Sequence, residues 1–262
     1  KNISGVPTQS WDLLNHPNVD DFDLSSLIDI GAGGAARPED QVQSLHDKFN
    51  LPLTFGWGMT ETCALGAINR GDEYLAKPNS SGLNVPYLTQ VAVTDENWNF
   101  LNSGEVGEIV FKSPTNMIGY LKNEGETNKA LRDGWLLTGD LGYIDDEGYL
   151  FIVDRKKSLI IRGGENISTL EIENALDRHL NIIESCVCGI DDPKFGEVVG
   201  AYVYCNADVS EEAIKEFLNE SIAGYKVPEV LHISKDPLPR IATEKINRVG
   251  IKKILLSKYQ MR

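Results

Sequence analysis

The stretch Gly148-Tyr-Leu-Phe-Ile-Val-Asp-Arg-Lys-Lys-Ser-Leu-Ile-Ile-Arg-Gly-Gly-Glu-Asn166 divides the chain. Two apolar runs, Leu150 to Val153 and Ser158 to Ile161, have the length and branched content of strands, and a charged turn with Asp154, Arg155, Lys156 and Lys157 joins them. Gly163 and Gly164 break the second strand. A helix follows, with Ser168 or Thr169 able to cap it and Glu171 or Glu173 in its first turn. A new strand-helix-strand-helix unit thus starts at Lys157, which predicts two domains, 1–156 and 157–262.

Working outward, residues 85–156 carry short strands at Gln90 to Val93, Glu108 to Lys112 and Leu150 to Val153, separated by Gly, Asn and Asp turns. This predicts an antiparallel sheet or small barrel. Residues 1–84 alternate a strand at Leu27 to Ile30, a helix at Pro38 to Phe49 and a strand at Leu53 to Phe55, the order of a parallel α/β layer. Downstream, Ser185 to Ile190 and Val198 to Tyr204 read as strands, and Ser210 to Ser221 and Val249 to Leu256 as helices. The expected class is an α/β part plus a small antiparallel sheet or barrel, followed by a small α+β domain.

With 262 residues, 41% hydrophobic and 24% charged, the chain can bury a substantial core. It holds no run of 18 apolar residues, and its first residues, Lys1-Asn-Ile-Ser4, have neither an initiator Met nor a signal-peptide pattern. The reading is a soluble, cytoplasmic, truncated chain. Cys63, Cys186, Cys188 and Cys205 lack zinc-site spacing and read as reduced core residues. The net charge of −14 argues against nucleic acid or an anionic membrane as partner of the whole surface. From Lys226 to Arg262, however, nine Lys and Arg face three Asp and Glu. That basic tail suits a small anionic ligand and equally suits a solvated face.

Four further segments carry chemistry. Gly31-Ala-Gly-Gly-Ala-Ala36 lies between a strand and a helix, where small residues let a ligand ring lie on the backbone, though such a turn is also ordinary structure. Gly56-Trp-Gly-Met-Thr-Glu-Thr62 offers a flat aromatic face, a hydroxyl for phosphate and a carboxylate for Mg²⁺. The alternative there is a core Trp before a capped helix. In Gly134-Trp-Leu-Leu-Thr-Gly-Asp140 a carboxylate leaves a turn, where it can accept from both hydroxyls of a ribose or serve as a turn residue. Pro237-Leu-Pro-Arg-Ile-Ala-Thr-Glu-Lys-Ile-Asn-Arg248, like the opening stretch, sets cations beside small residues.

Taken in order, these segments resemble the signature motifs of the adenylate-forming superfamily of AMP-binding enzymes, most closely its acyl-CoA synthetases. Tyr225-Lys-Val-Pro228 and Asp192-Pro-Lys-Phe-Gly-Glu-Val-Val199 resemble family segments too. By that resemblance Trp57 stands where the family has a Tyr packed on adenine, with Gly33, Gly34 and Ala35 lining the base and acyl entry and Gly56 also at the nucleotide. Thr60 is expected at the α-phosphate, Glu61 at Mg²⁺, and Asp140 at the ribose, helped by Arg155, with Ile152 also at the nucleotide. Lys157 becomes the hinge of a mobile carboxyl-terminal domain, Gly164 lies beside the pantetheine tunnel, and Lys245 is the mobile lysine of adenylation. The implied cofactors are ATP/AMP, Mg²⁺ and coenzyme A, and the implied partners are a small carboxylic acid, fatty or similarly apolar, and CoA.

Four positions depart from the pattern: Trp57 replaces Tyr, Ala36 and Thr169 replace Pro, and Glu244 replaces the Gly before the catalytic lysine. The Ser/Thr/Gly-rich lysine loop that clamps the β- and γ-phosphates in the family is not in this sequence, so the chain by itself is expected not to adenylate. The resemblance leaves two alternatives, an enzyme that loads a carrier protein and a non-catalytic nucleotide-binding module.

Overall fold

The computed structural model describes residues 1–262 apart from Ala35, Ala36, Thr243, Glu244 and Arg262, with only the backbone of Thr8. The expected base-lining role of Ala35 and the departures at Ala36 and Glu244 therefore lie outside the described residues. The chain forms two compact units, Lys1–Ile152 and Val153–Arg262.

The first unit begins with β1 (Asn2–Gly5), α1 (Pro7–Leu14), β2 (Asp29–Gly33), α2 (Glu39–Phe49), β3 (Leu53–Trp57), β4 (Ala67–Arg70), α3 (Gly71–Ala76) and β5 (Leu83–Asn84). The five strands form a sheet in the order β1-β2-β3-β4-β5. The expected parallel layer holds for β1, β2 and β3, whereas β4 and β5 run antiparallel because short connections return the chain along the edge. Helix α2 places Val42 and Leu45 on one face against Ile30, Leu53 and Tyr74. Glu39 and Asp40 in its first turn and His46 and Lys48 in its last complement the dipole, and Asn50, at φ 49°, ends it in the left-handed region.

The unit continues with β6 (Gln90–Thr94), β7 (Gly107–Lys112), α4 (Glu124–Ala130), β8 (Leu131–Arg132), β9 (Trp135–Ile144) and the start of β10 (Leu150–Arg155). These strands form a second sheet, ordered β10-β9-β7-β6 with β8 beside β9. The pairs β6–β7, β7–β9 and β8–β9 are antiparallel, as the expected antiparallel sheet or small barrel requires.

The second unit holds β11 (Ile160–Arg162), β12 (Glu165–Ile167), α5 (Thr169–Asp177), β13 (Ile182–Asp192), β14 (Gly196–Cys205), α6 (Glu211–Asn219), β15 (Val230–Ser234) and α7 (Arg248–Gln260). Its sheet runs β12-β11-β14-β13, with β15 parallel to β14. The expected strand at Ser158 starts later, at Ile160, because Ser158 and Leu159 donate their N–H groups to Arg155 O and close a turn. Val187, Val199, Ala201 and Val203 pack with Ile172, Leu176, Ile214 and Leu218 of α5 and α6, while Cys186, Ile190, Val198 and Tyr202 pack with Ile251 and Leu255 of α7. A strand covered on both sides needs apolar residues at every position, which is why Ser185 to Ile190 reads as a continuous run. Burial pushes the Cys186 thiol up to about 12, so it stays protonated and inert. Cys63 corrects the expectation of four core cysteines: it is exposed, at φ 54°.

Glu173 is 9% exposed, and its carboxylate accepts from Val187 N at 2.7 Å and from Arg248 Nη2 at 3.0 Å. Burial raises its proton affinity, and the Arg248 charge opposes that. Arg248→Ala is expected to destabilise the chain by about 2 kcal/mol, less than the ~3–5 kcal/mol of a fully buried pair because the Arg248 side chain is 43% exposed. Without its cation, Glu173 would hold a proton more tightly folded than unfolded, so the deficit should grow as pH rises through the carboxylate range. Urea unfolding of both proteins at several pH values measures this. A deficit that shrinks with rising pH contradicts it.

Candidate nucleotide site

Three strands of the first sheet run parallel, and the segments with expected roles leave the carboxyl ends of β2 and β3, the end at which open α/β sheets bind ligands. Gly33 pairs with Gly56 in register, and a Cβ on Gly33 would lie 2.8 Å from Gly56 O, so only glycine permits this approach. At Gly34 and Gly56 a Cβ would meet nothing within 4 Å, leaving an open surface of bare backbone. Such a surface can take a flat ring.

Beyond β3 the chain makes a 3₁₀ turn over Thr60–Thr62, shorter than the helix that the alternative reading of this segment expected. Thr62 Oγ1 bonds both Met59 N at 3.1 Å and Met59 O at 3.0 Å, which fixes the turn and leaves Thr60 exposed. Glu61 is half-buried and doubly tied: its carbonyl accepts from Met117 N at 2.7 Å, and its Oε1 from Tyr120 Oη at 2.8 Å. Burial and the carboxylate beside it raise the Tyr120 pKa, which keeps the phenol a donor. Among the described residues no group of three or more His, Cys, Asp or Glu gathers to hold a metal ion. Glu61 thus offers one carboxylate, a donor set that fits a hard cation taking its other ligands from water and phosphate.

Asp140 is not in a turn, contrary to the sequence expectation. The turn lies earlier, at Asp133 and Gly134 between β8 and β9, and Asp140 sits within β9, 4% exposed. Between Glu108–Leu141 and Val110–Leu137 the β7–β9 register shifts, so β9 carries extra residues there. Gly139, at φ 73°, takes the left-handed conformation that this bulge requires, and its N–H meets Glu108 Oε1 at 3.2 Å. Thr138 Oγ1 donates to Ile109 O at 2.7 Å and accepts from Asp140 N at 3.1 Å. The bulge re-aims the carboxylate, and Trp57 Nε1 donates to its Oδ2 at 3.0 Å. Ile152 and Trp57 pack on one cluster of Ala67, Ile109 and Leu150. In the first unit the structure therefore joins Trp57, Asp140 and Ile152, sets Gly33 against Gly56, and adds Tyr120 at Glu61.

In the second unit, Arg155, Lys156 and Lys157 are exposed on the turn from β10 to β11. Asp154 is 4% exposed, and its Oδ2 accepts from Thr169 N at 2.6 Å. Ser168 Oγ donates to Val153 O at 3.1 Å and caps α5 by accepting from Glu171 N. The departure at Thr169 has a local reason: a Pro there has no N–H to give Asp154. Gly163 and Gly164, at φ 59° and 93°, form the two-residue turn between β11 and β12, where Arg162 pairs with Glu165. A Cβ on Gly164 would meet nothing within 4 Å. Lys245 is exposed on a loop whose base is closed by the Arg240–Ile246 bridge, and its O accepts from Ile241 N at 2.9 Å.

Sequence reasoning missed Tyr120 and Thr138. Tyr120 lies 59 positions from Glu61, and no spacing marks it. Gly139 was the available sign of the bulge, since an isolated Gly in a strand pattern points to one.

Two family profiles match in chain order: AMP-binding enzyme over residues 2–121 and AMP-binding enzyme C-terminal domain over residues 171–245. A 2-succinylbenzoate–CoA ligase of Bacillus licheniformis is 41% identical over 223 residues, which make up 85% of this chain and 46% of the relative. A long-chain-fatty-acid–CoA ligase of Bacillus subtilis is 38% identical over 248 residues, 93% of this chain and 44% of the relative. The o-succinylbenzoate CoA synthetase of Bacillus subtilis, solved with the acyl-adenylate intermediate OSB-AMP, superposes with a TM-score of 0.87 at 33% identity, over 96% of this chain and 51% of that one. The same enzyme solved with ATP and magnesium ion gives 0.85 at 32% identity, over 96% and 51%. The chain spans about half the length of the curated relatives it matches. Two profiles in the family's order, together with CoA ligases 41% and 38% identical to this chain, lead to one conclusion: the chain belongs to the AMP-binding, adenylate-forming enzyme family.

Proposed function

We propose that the full-length protein is an ATP-dependent, AMP-forming acid–thiol ligase that activates a carboxylic acid as its acyl-adenylate and passes the acyl group to coenzyme A. The observation that carries this reading is the meeting of Trp57 and the buried Asp140 beside the bare backbone of Gly34 and Gly56. A base laid on that backbone and against the indole face would set its ribose hydroxyls toward Asp140, a carboxylate acceptor. Thr60 would donate to the α-phosphate, and Arg155 would support the ribose.

In the first half-reaction a carboxylate oxygen of the acid bonds to the α-phosphorus, and the bond from that phosphorus to the bridging oxygen breaks, releasing pyrophosphate. Magnesium, held by Glu61, would neutralise charge on the phosphoryl oxygens. Lys245 would stabilise the same charge. In the second, the thiol sulfur bonds to the acyl carbon, the bond from that carbon to the oxygen bridging it to phosphorus breaks so that AMP leaves with that oxygen, and the thiol proton passes to solvent. Gly164 would leave room for the pantetheine arm, and a swing about Lys157 would exchange the two surfaces.

The acid we favour is fatty or similarly apolar, in keeping with the Arg162-Gly-Gly-Glu-Asn-Ile167 loop and with a long-chain-fatty-acid ligase among the relatives. An aryl acid is the competing class, because succinylbenzoate ligases are also among them. ATP–pyrophosphate exchange by the full-length protein across fatty and aryl acids is expected to be fastest with a fatty acid. Exchange confined to aryl acids overturns the substrate class, and exchange with no acid overturns the ligase reading in favour of a nucleotide-binding module.

A further inference from the structure

Trp57 and Asp140 meet across 83 positions of sequence through one hydrogen bond, indole Nε1 to carboxylate Oδ2 at 3.0 Å. Both partners are confined. The β9 bulge and the bond from its own N–H to Thr138 Oγ1 hold Asp140. The indole sits edge-on to the buried Phe111 ring, with centroids 6.1 Å apart and planes at 78°, and packs on Ala67, Ile109 and Leu150. Gly66 closes in behind: a methyl there would come within 2.6 Å of Trp57 Cε3. A ring so held has one direction for its N–H.

We propose that Trp57 is a positioning residue for Asp140, its N–H fixing the rotation of the carboxylate so that it is already set to accept ribose hydroxyls. The side-chain type matters. Indole carries a ring-edge donor with no acceptor character, Phe has no donor, and the Tyr hydroxyl lies at the far end of its ring and both gives and takes. A carboxylate oriented before the ligand arrives loses less freedom on binding. One side chain then serves two parts of the ligand, its face the base and its edge the ribose, so the two recognitions are coupled. The proposal rests on the reading of Asp140 as the ribose acceptor.

The test titrates the full-length protein, Trp57→Phe, Asp140→Ala and the double variant with AMP and with 2′,3′-dideoxy-AMP. Trp57→Phe keeps a ring face and removes the donor, so AMP binding should weaken about 10-fold while dideoxy-AMP changes by less than about twofold. Asp140→Ala should weaken AMP about 10- to 100-fold, and adding Trp57→Phe to it should cost nothing further. Equal weakening of both ligands by Trp57→Phe makes Trp57 a packing residue and overturns the proposal, while an Asp140→Ala loss confined to AMP leaves the ribose reading intact. Unchanged AMP binding in Asp140→Ala overturns that reading and the proposal with it. A ligand-free measurement covers the case in which Trp57→Phe misfolds. The Trp57 indole N–H resonance should shift and exchange faster with solvent in Asp140→Ala, and a resonance indifferent to that change overturns the proposal.

Discussion

Lys245→Ala in the full-length protein is expected to slow acyl-adenylate formation about 10²–10³-fold, while conversion of a supplied acyl-adenylate to thioester stays within about twofold of normal. The first effect follows from charge. Negative charge grows on the phosphoryl oxygens as the carboxylate attacks, and an ammonium aimed there stabilises the transition state more than the ground state. The second follows from the proposed swing, which would carry the lysine away before the thiol attacks. Lys245 has the setting that such a role needs: it is exposed, and it sits on a loop whose base is fixed by the Arg240–Ile246 bridge and by Asn247 N donating to Pro239 O at 2.7 Å. Asn247 also caps α7 by accepting from Gly250 N, so the residues after the lysine are anchored. An exposed lysine is also the ordinary form of a solvated surface residue. Each half-reaction measured by itself separates the two, and normal pyrophosphate exchange in Lys245→Ala would leave only the surface role.

Glu61→Gln is the second large effect, a drop of about 10²-fold in the Mg²⁺-dependent adenylation rate with stability changed by less than about 0.5 kcal/mol. The structure explains why the two effects should separate. The amide oxygen of Gln can still accept from Tyr120 Oη, and the backbone bond from Met117 N to the carbonyl of residue 61 does not involve the side chain. The turn and its two ties therefore survive, and only the negative charge is lost. A hard cation loses most of its attraction to a neutral amide when its remaining ligands are water and phosphate. Adenylation at ordinary Mg²⁺ concentrations with an undiminished rate would place the metal ligand elsewhere. A large fall in stability would show that the carboxylate is structural.

The periodicities that made the elements legible are those of burial. Helix α2 shows its face in Val42 and Leu45, and β13 shows its two covered faces in an unbroken apolar run. Local chemistry also narrowed the cap of α5 to Ser168 or Thr169, of which the structure uses Ser168, and placed the turn at Gly163 and Gly164. What could not be read depends on register between distant segments. The mixed direction of the first sheet, the bulge that presents Asp140 and the partnership of Tyr120 with Glu61 arise from pairings across the sheets, which leave no period in a single strand. The motif residues were legible as types, whereas their geometry was not. Asp140 looked like a turn residue because its neighbours Thr138 and Gly139 favour turns, and in β9 the same two residues build the bulge.

The capping of α5 bears on how a swing about Lys157 would behave in time. Asp154 holds Thr169 N, and Val153 O takes the Ser168 hydroxyl, so the two residues before Arg155 are fastened to the first turn of the helix that follows. Backbone rotation at Lys157 would pull on both fastenings, whereas rotation before Val153 would leave them whole. Each bond of this kind contributes about 1 kcal/mol, so a pivot at Lys157 would work against a detent: the fastened setting would be favoured by roughly 10-fold or more until the fastenings release together. Movement about such a pivot would begin only as both fastenings let go, so few molecules would be caught partway.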